Sequence, residues 1–243
     1  MMKNLSIALW LFASFAVAGA QDVRLDVSSL SSWAPLDFPK IPNHTIYAAT
    51  NEDGAPAIRV EATASASALV YSRTFDLRST PVLSWSWKVL NVLPRGDAET
   101  REGDDYPIRV YILFPYQSRR VPPLQRLQFE LAKQLYGSYP PEAVLNYVWA
   151  NRPHTSEPLP NAYTDRAMMF FPDVGNDHVG EWRTHTVNIL EDYRRAFGQE
   201  PPDTFSLAIM GDSDNTGGQS VAFVRGISLA AAARETEGGG GTQ

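Results

Sequence analysis

Short runs in which apolar and polar residues alternate recur along this chain. The clearest is 82–89, where Leu83, Trp85, Trp87 and Val89 share one face and serine and lysine side chains share the other. This period of two predicts a strand with one buried face, so we expect the two tryptophans to point into a core. Similar runs predict strands at 57–63, 68–75, 108–114, 143–150, 167–171, 182–187, 204–210 and 221–229.

Two segments break this alternation and predict short inserted helices. Segment 122–137 begins with prolines, ends at Gly137 and carries leucines at helical spacing, namely Leu124, Leu127, Leu131 and Leu135. Segment 189–197 is followed by Gly198, which is typical of a helix end. Many short strands with few helices indicate a mainly β fold, an antiparallel sandwich, and not a parallel α/β sheet.

The first twenty residues have the pattern of a secretory signal peptide. Lys3 precedes an apolar stretch that ends at Ala18-Gly19-Ala20, a small-x-small cleavage pattern. The apolar stretch has about 13 residues, whereas a membrane span needs roughly 20. We therefore predict cleavage after Ala20, a periplasmic or secreted location, one β-sandwich domain over 21–229 and a disordered tail over 230–243.

Composition removes several classes of function. The chain has no cysteine, which excludes thiol catalysis and cysteine-based zinc sites, and its formal net charge is −6 without a long basic run. Nucleic-acid binding needs clustered lysine and arginine, so we expect no nucleic-acid partner. The four histidines are scattered without metal-ligand spacing, and no motif of a catalytic nucleophile is present. Composition and motifs thus argue against an enzyme.

The segment 212–217 has the composition of a turn rich in oxygen ligands. Asp212, Asp214, Asn215 and Thr216 all carry side-chain oxygens, the atoms that Ca²⁺ prefers. The twelfth position of an EF-hand loop would be Phe223, which excludes that motif. Two interpretations remain open: a structural Ca²⁺ site on these four residues, and a turn whose side chains bond their own backbone.

The loop 95–105 carries five carboxylates within nine residues. A solvated loop is the simpler interpretation, but Asp104 and Asp105 come directly before the strand that carries Arg109. We therefore expect a carboxylate–guanidinium bond that holds the loop to the sheet, and we take the three residues as candidate ligand contacts. Paired acids could also hydrolyse a glycosidic bond if they lay about 5–9 Å apart.

Aromatic residues on strands suggest a surface for sugar rings. Tyr147, Trp149 and Asn151 share one face of the predicted strand 143–150 and its end. An aromatic ring stacks on the apolar face of a sugar while a nearby amide bonds a hydroxyl group. These three residues are accordingly predicted as a ligand face.

Six motifs occur in a recognisable order along the chain. They lie at 83–89, 103–111, 146–151, 163–168, 188–198 and 208–217. On these motifs the chain resembles the bacterial exported-protein family called domain of unknown function 3047, over about 25–229. The last motif often reads Thr-Asp-Thr-Asp-Asn-Thr-Gly in that family, whereas this chain has Gly211 and Ser213 and keeps both aspartates. The resemblance implies a jelly-roll-like sandwich of the carbohydrate-binding or galactose-binding kind, and an exported protein; it implies no reaction.

Three functions are compatible with these features. The first is a periplasmic binding module for a carbohydrate or another cell-envelope ligand. The alternative is an envelope interaction or assembly protein that docks through the leucine-bearing helix. A further alternative is a hydrolase of an envelope polymer, using carboxylates such as Asp104, Asp105, Asp212 or Asp214, which requires two of them to face one cleft.

Overall fold

The computed structural model describes residues 22–136, 139–154 and 156–232. The predicted signal peptide, Gly137 and residues 233–243 of the predicted tail lie outside the described residues. The described residues form short strands and two helices, in this order: β1 (Val23–Arg24), β2 (Trp33–Asp37), β3 (Ile46–Glu52), β4 (Ala55–Thr63), β5 (Ala66–Tyr71), β6 (Phe75–Asp76), β7 (Val82–Val89), β8 (Arg109–Phe114), α1 (Pro123–Tyr136), β9 (Ala143–Ala150), β10 (Leu159–Asn161), β11 (Thr164–Val174), β12 (Arg183–Asn188), α2 (Ile189–Phe197), β13 (Thr204–Asp212) and β14 (Gln219–Ala230).

The strands form two sheets, which confirms the predicted β-sandwich. The smaller sheet has the order β12-β7-β14-β4-β3, with β1 paired to β14. The larger sheet has the order β10-β11-β9-β8-β13-β5-β2, with β6 paired to β13. The pairs are antiparallel except for β9 with β11, which are parallel because the segment between them includes the short strand β10 and crosses back.

The core fills the space between the two sheets. The side chains of Leu83, Trp85, Trp87 and Val89 on β7 are all 0% exposed, as the alternating pattern predicts. They meet the inner face of the larger sheet: the Trp87 ring lies 6.1 Å from the ring of Trp149 on β9. Because strands alternate their side chains, the residues between these inner positions on β8 and β9 point to the outer face of the larger sheet.

The helix at 189–197 is confirmed, and its ends show why it forms there. The Asn188 side chain accepts hydrogen bonds from the backbone N–H groups of Leu190 and Glu191, and Gly198 adopts a left-handed φ of 64°. These contacts satisfy the N–H and C=O groups that a helix leaves open at its ends.

The longer helix, α1, is also present within one residue of its predicted bounds. Its Phe129 is buried, whereas Leu127 is 59% exposed. The side chains of Leu124, Leu131 and Leu135 lie outside the described residues. In the part of the chain that the structure describes, no helix is long and apolar enough to cross a membrane.

Strand β13 is longer than predicted, and the added residues position the candidate site. Gly211 and Asp212 continue the strand by pairing with Ser67 and Ala66 on β5. A Cβ atom at position 211 would lie 2.8 Å from the carbonyl oxygen of Pro107 and 2.7 Å from the Val60 side chain. Glycine therefore allows the chain to carry Asp212 close to the loop that precedes β8.

Candidate functional site

Two segments that are distant in sequence meet on the outer face of the larger sheet. The loop between β7 and β8 packs Ala98 and Tyr106 onto Val148 of β9 and Met169 of β11. The backbone of Tyr106 then exchanges hydrogen bonds with Asp212, from Asp212 N to Tyr106 O at 3.0 Å and from Tyr106 N to the Asp212 carboxylate at 3.0 Å. The acidic loop and the acidic turn thus form one cluster.

Arg109 lies at the centre of this cluster and is only 2% exposed. Its Nε donates to Asp212 Oδ1 at 3.0 Å and its Nη2 donates to Asp212 Oδ2. Its Nη1 donates to Asp104 Oδ1 at 3.3 Å, and Nη2 also donates to the Asp104 carbonyl at 2.7 Å. The guanidinium lies over the Tyr106 ring, 4.3 Å from its centroid. The predicted bond between the loop and Arg109 is confirmed for Asp104.

Asp105 connects the loop to the turn at 212–217. Its carboxylate is 0% exposed and accepts hydrogen bonds from the backbone N–H of Asn215 at 3.3 Å and of Thr216 at 2.6 Å. The Asn215 side chain donates to the Asp104 carbonyl at 3.4 Å and accepts from the Tyr163 hydroxyl at 3.4 Å. The turn therefore directs backbone N–H groups at a carboxylate from another segment, a contact that local sequence pattern does not reveal.

The cluster carries more negative than positive charge. Carboxylate oxygens of Asp105, Asp212 and Asp214 lie within 4.8 Å of one another. Burial opposes the charge on Arg109, but the neighbouring Asp212 and Asp104 hold the pKa of Arg109 well above its ordinary value. Burial also raises the pKa of Asp212 against the opposing effect of Arg109, and Asp104 and Asp105 add to this increase. Burial and then Asp105 raise the pKa of Asp214. Such a cluster favours uptake of a proton or a cation.

The predicted ligand face on β9 is wrong for its two aromatic residues. Tyr147 and Trp149 are 0% exposed and lie on the inner face of the sheet, so no ligand can stack on them. The Tyr147 hydroxyl donates to Asp192 at 2.8 Å and the Trp149 Nε1 donates to the Gly175 carbonyl at 3.0 Å. Asn151 has a different role: its side chain donates to the Asp105 carbonyl at 2.6 Å and accepts from the Leu93 N–H at 2.7 Å, which fastens the acidic loop.

The outer face of the larger sheet forms a groove of about 270 Å³ beside the acidic cluster. Tyr111 on β8 lies at its centre, directly opposite Asn146 on β9 and Ala208 on β13. The depression forms because three of its lining residues, Ala68, Ala167 and Ala208, have small side chains. The other lining residues form its walls, floor and polar end, namely Leu36, Phe38, Asp104, Arg109, Leu113, Pro141, Val144, Asn161 and Met210.

Asn146 distinguishes this groove from an ordinary hydrophobic depression. The residue is 1% exposed, and among the described residues its Oδ1 has no hydrogen-bond partner. Leaving a buried acceptor unpaired costs about 1–3 kcal/mol, so an unpaired amide oxygen in the lining of a groove calls for an explanation. Sequence reasoning missed Asn146, although one signal was present: it is the single polar residue in the apolar run 143–150.

The chain was compared with curated proteins and with solved structures. No curated protein matches the chain. Among solved structures, the family 11 carbohydrate-binding module of cellulosomal cellulase Lic26A-Cel5E of Clostridium thermocellum is similar at 10% identity, over 89% of this chain and 98% of its own, with a TM-score of 0.43. The family 30 module of the cellulase Cel9D-Cel44B of the same organism is similar at 10% identity, over 88% and 99%, with a TM-score of 0.43.

The match to a family model covers most of the chain. It spans residues 31–228, which include the acidic loop, Arg109, Asn146 and the turn at 212–217. The chain therefore belongs to the family described as Protein of unknown function (DUF3047).

Proposed function

We propose that this protein is an exported binding module whose outer groove holds a carbohydrate or another ligand of the cell envelope. The observation that supports it best is the buried Asn146 Oδ1 beside Tyr111 in that groove, an acceptor that finds no partner within the described part of the chain. Binding sites for small ligands combine an apolar lining with a few polar groups that fix orientation. The groove has this composition, and the predicted signal peptide would bring the protein to such a ligand.

A sugar ring suits the two kinds of surface that the groove offers. Its C–H face can pack on the half-buried Tyr111 and on Met210, while its hydroxyl groups reach Asn146 at the centre and Asp104 at the polar end. Asp104 is already held in place, because its carboxylate accepts from Arg109 at 3.3 Å and from Asn161 at 2.9 Å. A fixed acceptor loses little conformational entropy when a ligand binds.

A panel of envelope glycans tests this function by thermal shift. A ligand at about 100 times its dissociation constant adds about 2.7 kcal/mol, and we expect the melting temperature to rise by about 5–11 °C for at least one glycan. Ala167→Trp fills the groove and should abolish the shift. Ala48→Trp, on the exposed part of β3 in the other sheet, should retain it. If no glycan raises the melting temperature, or if Ala167→Trp shows the same rise as the unchanged protein, the proposal is contradicted.

Binding without hydrolysis fits the acidic cluster better than the hydrolase alternative does. The two acidic segments meet, as a joint catalytic site would require, but Asp105 is 0% and Asp212 is 2% exposed. Both carboxylates accept N–H donors of the protein, and of the four candidate acids only Asp104 lines the groove, so two of them do not face one cleft. The alternative of a protein partner rests on the exposed Leu127 of α1, and a flat glycan panel would favour it.

We also propose a structural Ca²⁺ held by Asp212 and Asp214 of the predicted site together with Asp105, since carboxylate oxygens of these three residues converge within 4.8 Å. Of the other predicted ligands, the Asn215 side chain bonds the Asp104 carbonyl and Tyr163, and Thr216 donates its backbone N–H to Asp105. The ion would offset the negative charge that Arg109 leaves unbalanced. We expect Ca²⁺ to raise and EDTA to lower the melting temperature, because a ligand of the folded state stabilises it. Asp214→Asn should remove this response and Asp177→Asn, at an exposed position away from the cluster, should keep it. Identical melting in Ca²⁺ and EDTA would refute the ion site.

A further inference from the structure

We infer that the groove selects neutral glycans with adjacent hydroxyl groups and rejects anionic ones. This inference rests on the proposed function, because it names the class of ligand for the same groove. Two independent features carry it: the hydrogen-bonding capacity of Asn146, and the balance of charge at the polar end of the groove.

The Asn146 side chain is suited to hydrogen-bond hydroxyl groups of a ligand. Its amide has an oxygen that accepts and an NH₂ that donates, side by side in one plane. Among the described residues the oxygen has no partner, so a ligand hydroxyl that donates to it would satisfy it. Each hydroxyl of an adjacent pair both donates and accepts, and such a pair therefore matches the amide in either of its orientations. An anionic sugar keeps its hydroxyl groups, so Asn146 selects for hydroxyl groups and the rejection of anionic glycans rests on the charge of the cluster.

Arg109 does not serve as an anion receptor, although it lines the groove. Its Nε and Nη2 are bound to Asp212, and its Nη1 and Nη2 contact Asp104. A free guanidinium binds a carboxylate or phosphate through two parallel N–H groups, and here that pair of donors is already used. An anionic ligand would have to displace Asp212, a buried partner that is itself only 2% exposed.

The charge around this end of the groove opposes a further anion. Asp104 lines the groove, and Asp105, Asp212 and Asp214 belong to the same cluster. Four carboxylates thus surround one guanidinium, and the cluster stays net negative even with the proposed Ca²⁺ bound. Charges in a partly buried site interact more strongly than they do in water, because the surroundings screen them less. Repulsion between like charges is also how binding sites exclude wrong ligands. A neutral sugar carries no charge and is therefore not repelled.

A matched pair of ligands tests the inference: a neutral oligosaccharide of glucose and an oligosaccharide of glucuronic acid with the same linkage and length. Titration calorimetry at about 0.01 M ionic strength, where charges act over about 30 Å, should show at least about tenfold tighter binding of the neutral ligand. Asn146→Leu should weaken neutral binding about tenfold, whereas it should not lower the melting temperature, since it removes a buried unpaired acceptor. Asp214→Asn, whose position is outside the groove lining, should narrow the difference between the two ligands.

The outcomes separate this inference from the proposed function. If the glucuronate binds as tightly as the neutral ligand, or if Asn146→Leu binds normally, the inference is overturned and the binding function stands. If neither ligand nor any other glycan binds, the proposed function itself fails. Weaker discrimination at high salt, where charges are screened, supports the role of the acidic cluster.

Discussion

Arg109→Met is expected to lower the free energy of unfolding by about 3–5 kcal/mol, because it removes one partner of a buried ion pair. The substitution leaves the Asp212 and Asp104 carboxylates beside Asp105 without a guanidinium between them. Methionine has a similar volume, so the loss comes from charge and not from a cavity. At acidic pH the Asp212 carboxyl, whose pKa burial already raises, takes up a proton, and the loss should become smaller as the pH falls.

Urea denaturation at neutral and at acidic pH measures this effect. The control is Arg119→Met, an exposed arginine whose side chain bonds Gln117, and its stability should change by less than about 0.5 kcal/mol. Adding Asp212→Asn to Arg109→Met should recover part of the loss, because it removes one unpaired charge. A loss below about 1 kcal/mol for Arg109→Met, at neutral pH, would mean that the cluster is solvated and not held by Arg109.

The strands were predictable because burial repeats every two residues. Trp85 and Trp87 point into the core as the pattern of 82–89 indicates, and β9 has the predicted bounds. The face of β9 that carries the site was not predictable from that pattern. In the run 143–150 both faces are largely buried, because the acidic loop covers Val148 on the outer side. Alternation then no longer marks the inner face, so the pattern predicts a ligand face at Tyr147 and Trp149 although both belong to the core.

The contacts that build the cluster depend on the fold and not on local sequence. Thr216 donates to Asp105 across 111 positions of the chain, and Arg109 reaches Asp212 across 103. The sequence indicates that both segments are acidic and that Arg109 bonds a carboxylate of the acidic loop. It did not indicate that the turn would present N–H groups to Asp105. The groove was missed for the same reason: Tyr111, Asn146 and Ala208 become neighbours only when β8, β9 and β13 pair.

Asp105→Ala is expected to lower the free energy of unfolding by about 3 kcal/mol. The carboxylate accepts two backbone N–H groups, from Asn215 and Thr216, and a hydrogen bond to a charged group contributes about 1.5–3 kcal/mol. Removing one of four carboxylates relieves some repulsion, but the N–H groups it leaves unpaired in a buried turn outweigh that gain. The loss should also separate the acidic loop from the turn, so amide hydrogen exchange in both segments should accelerate together.

Asp214→Ala is the matched control, since it removes a carboxylate from the same cluster. Asp214 is only half-buried, and no bond from its carboxylate to another side chain is found among the described residues. Its removal should change stability by less than about 0.5 kcal/mol without added Ca²⁺. Equal losses for the two variants would show that the cluster responds to total charge alone. A large loss for Asp105→Ala alone would show that the hydrogen bonds of this carboxylate contribute most to joining the loop to the turn, beside those of Tyr106 and Asn215.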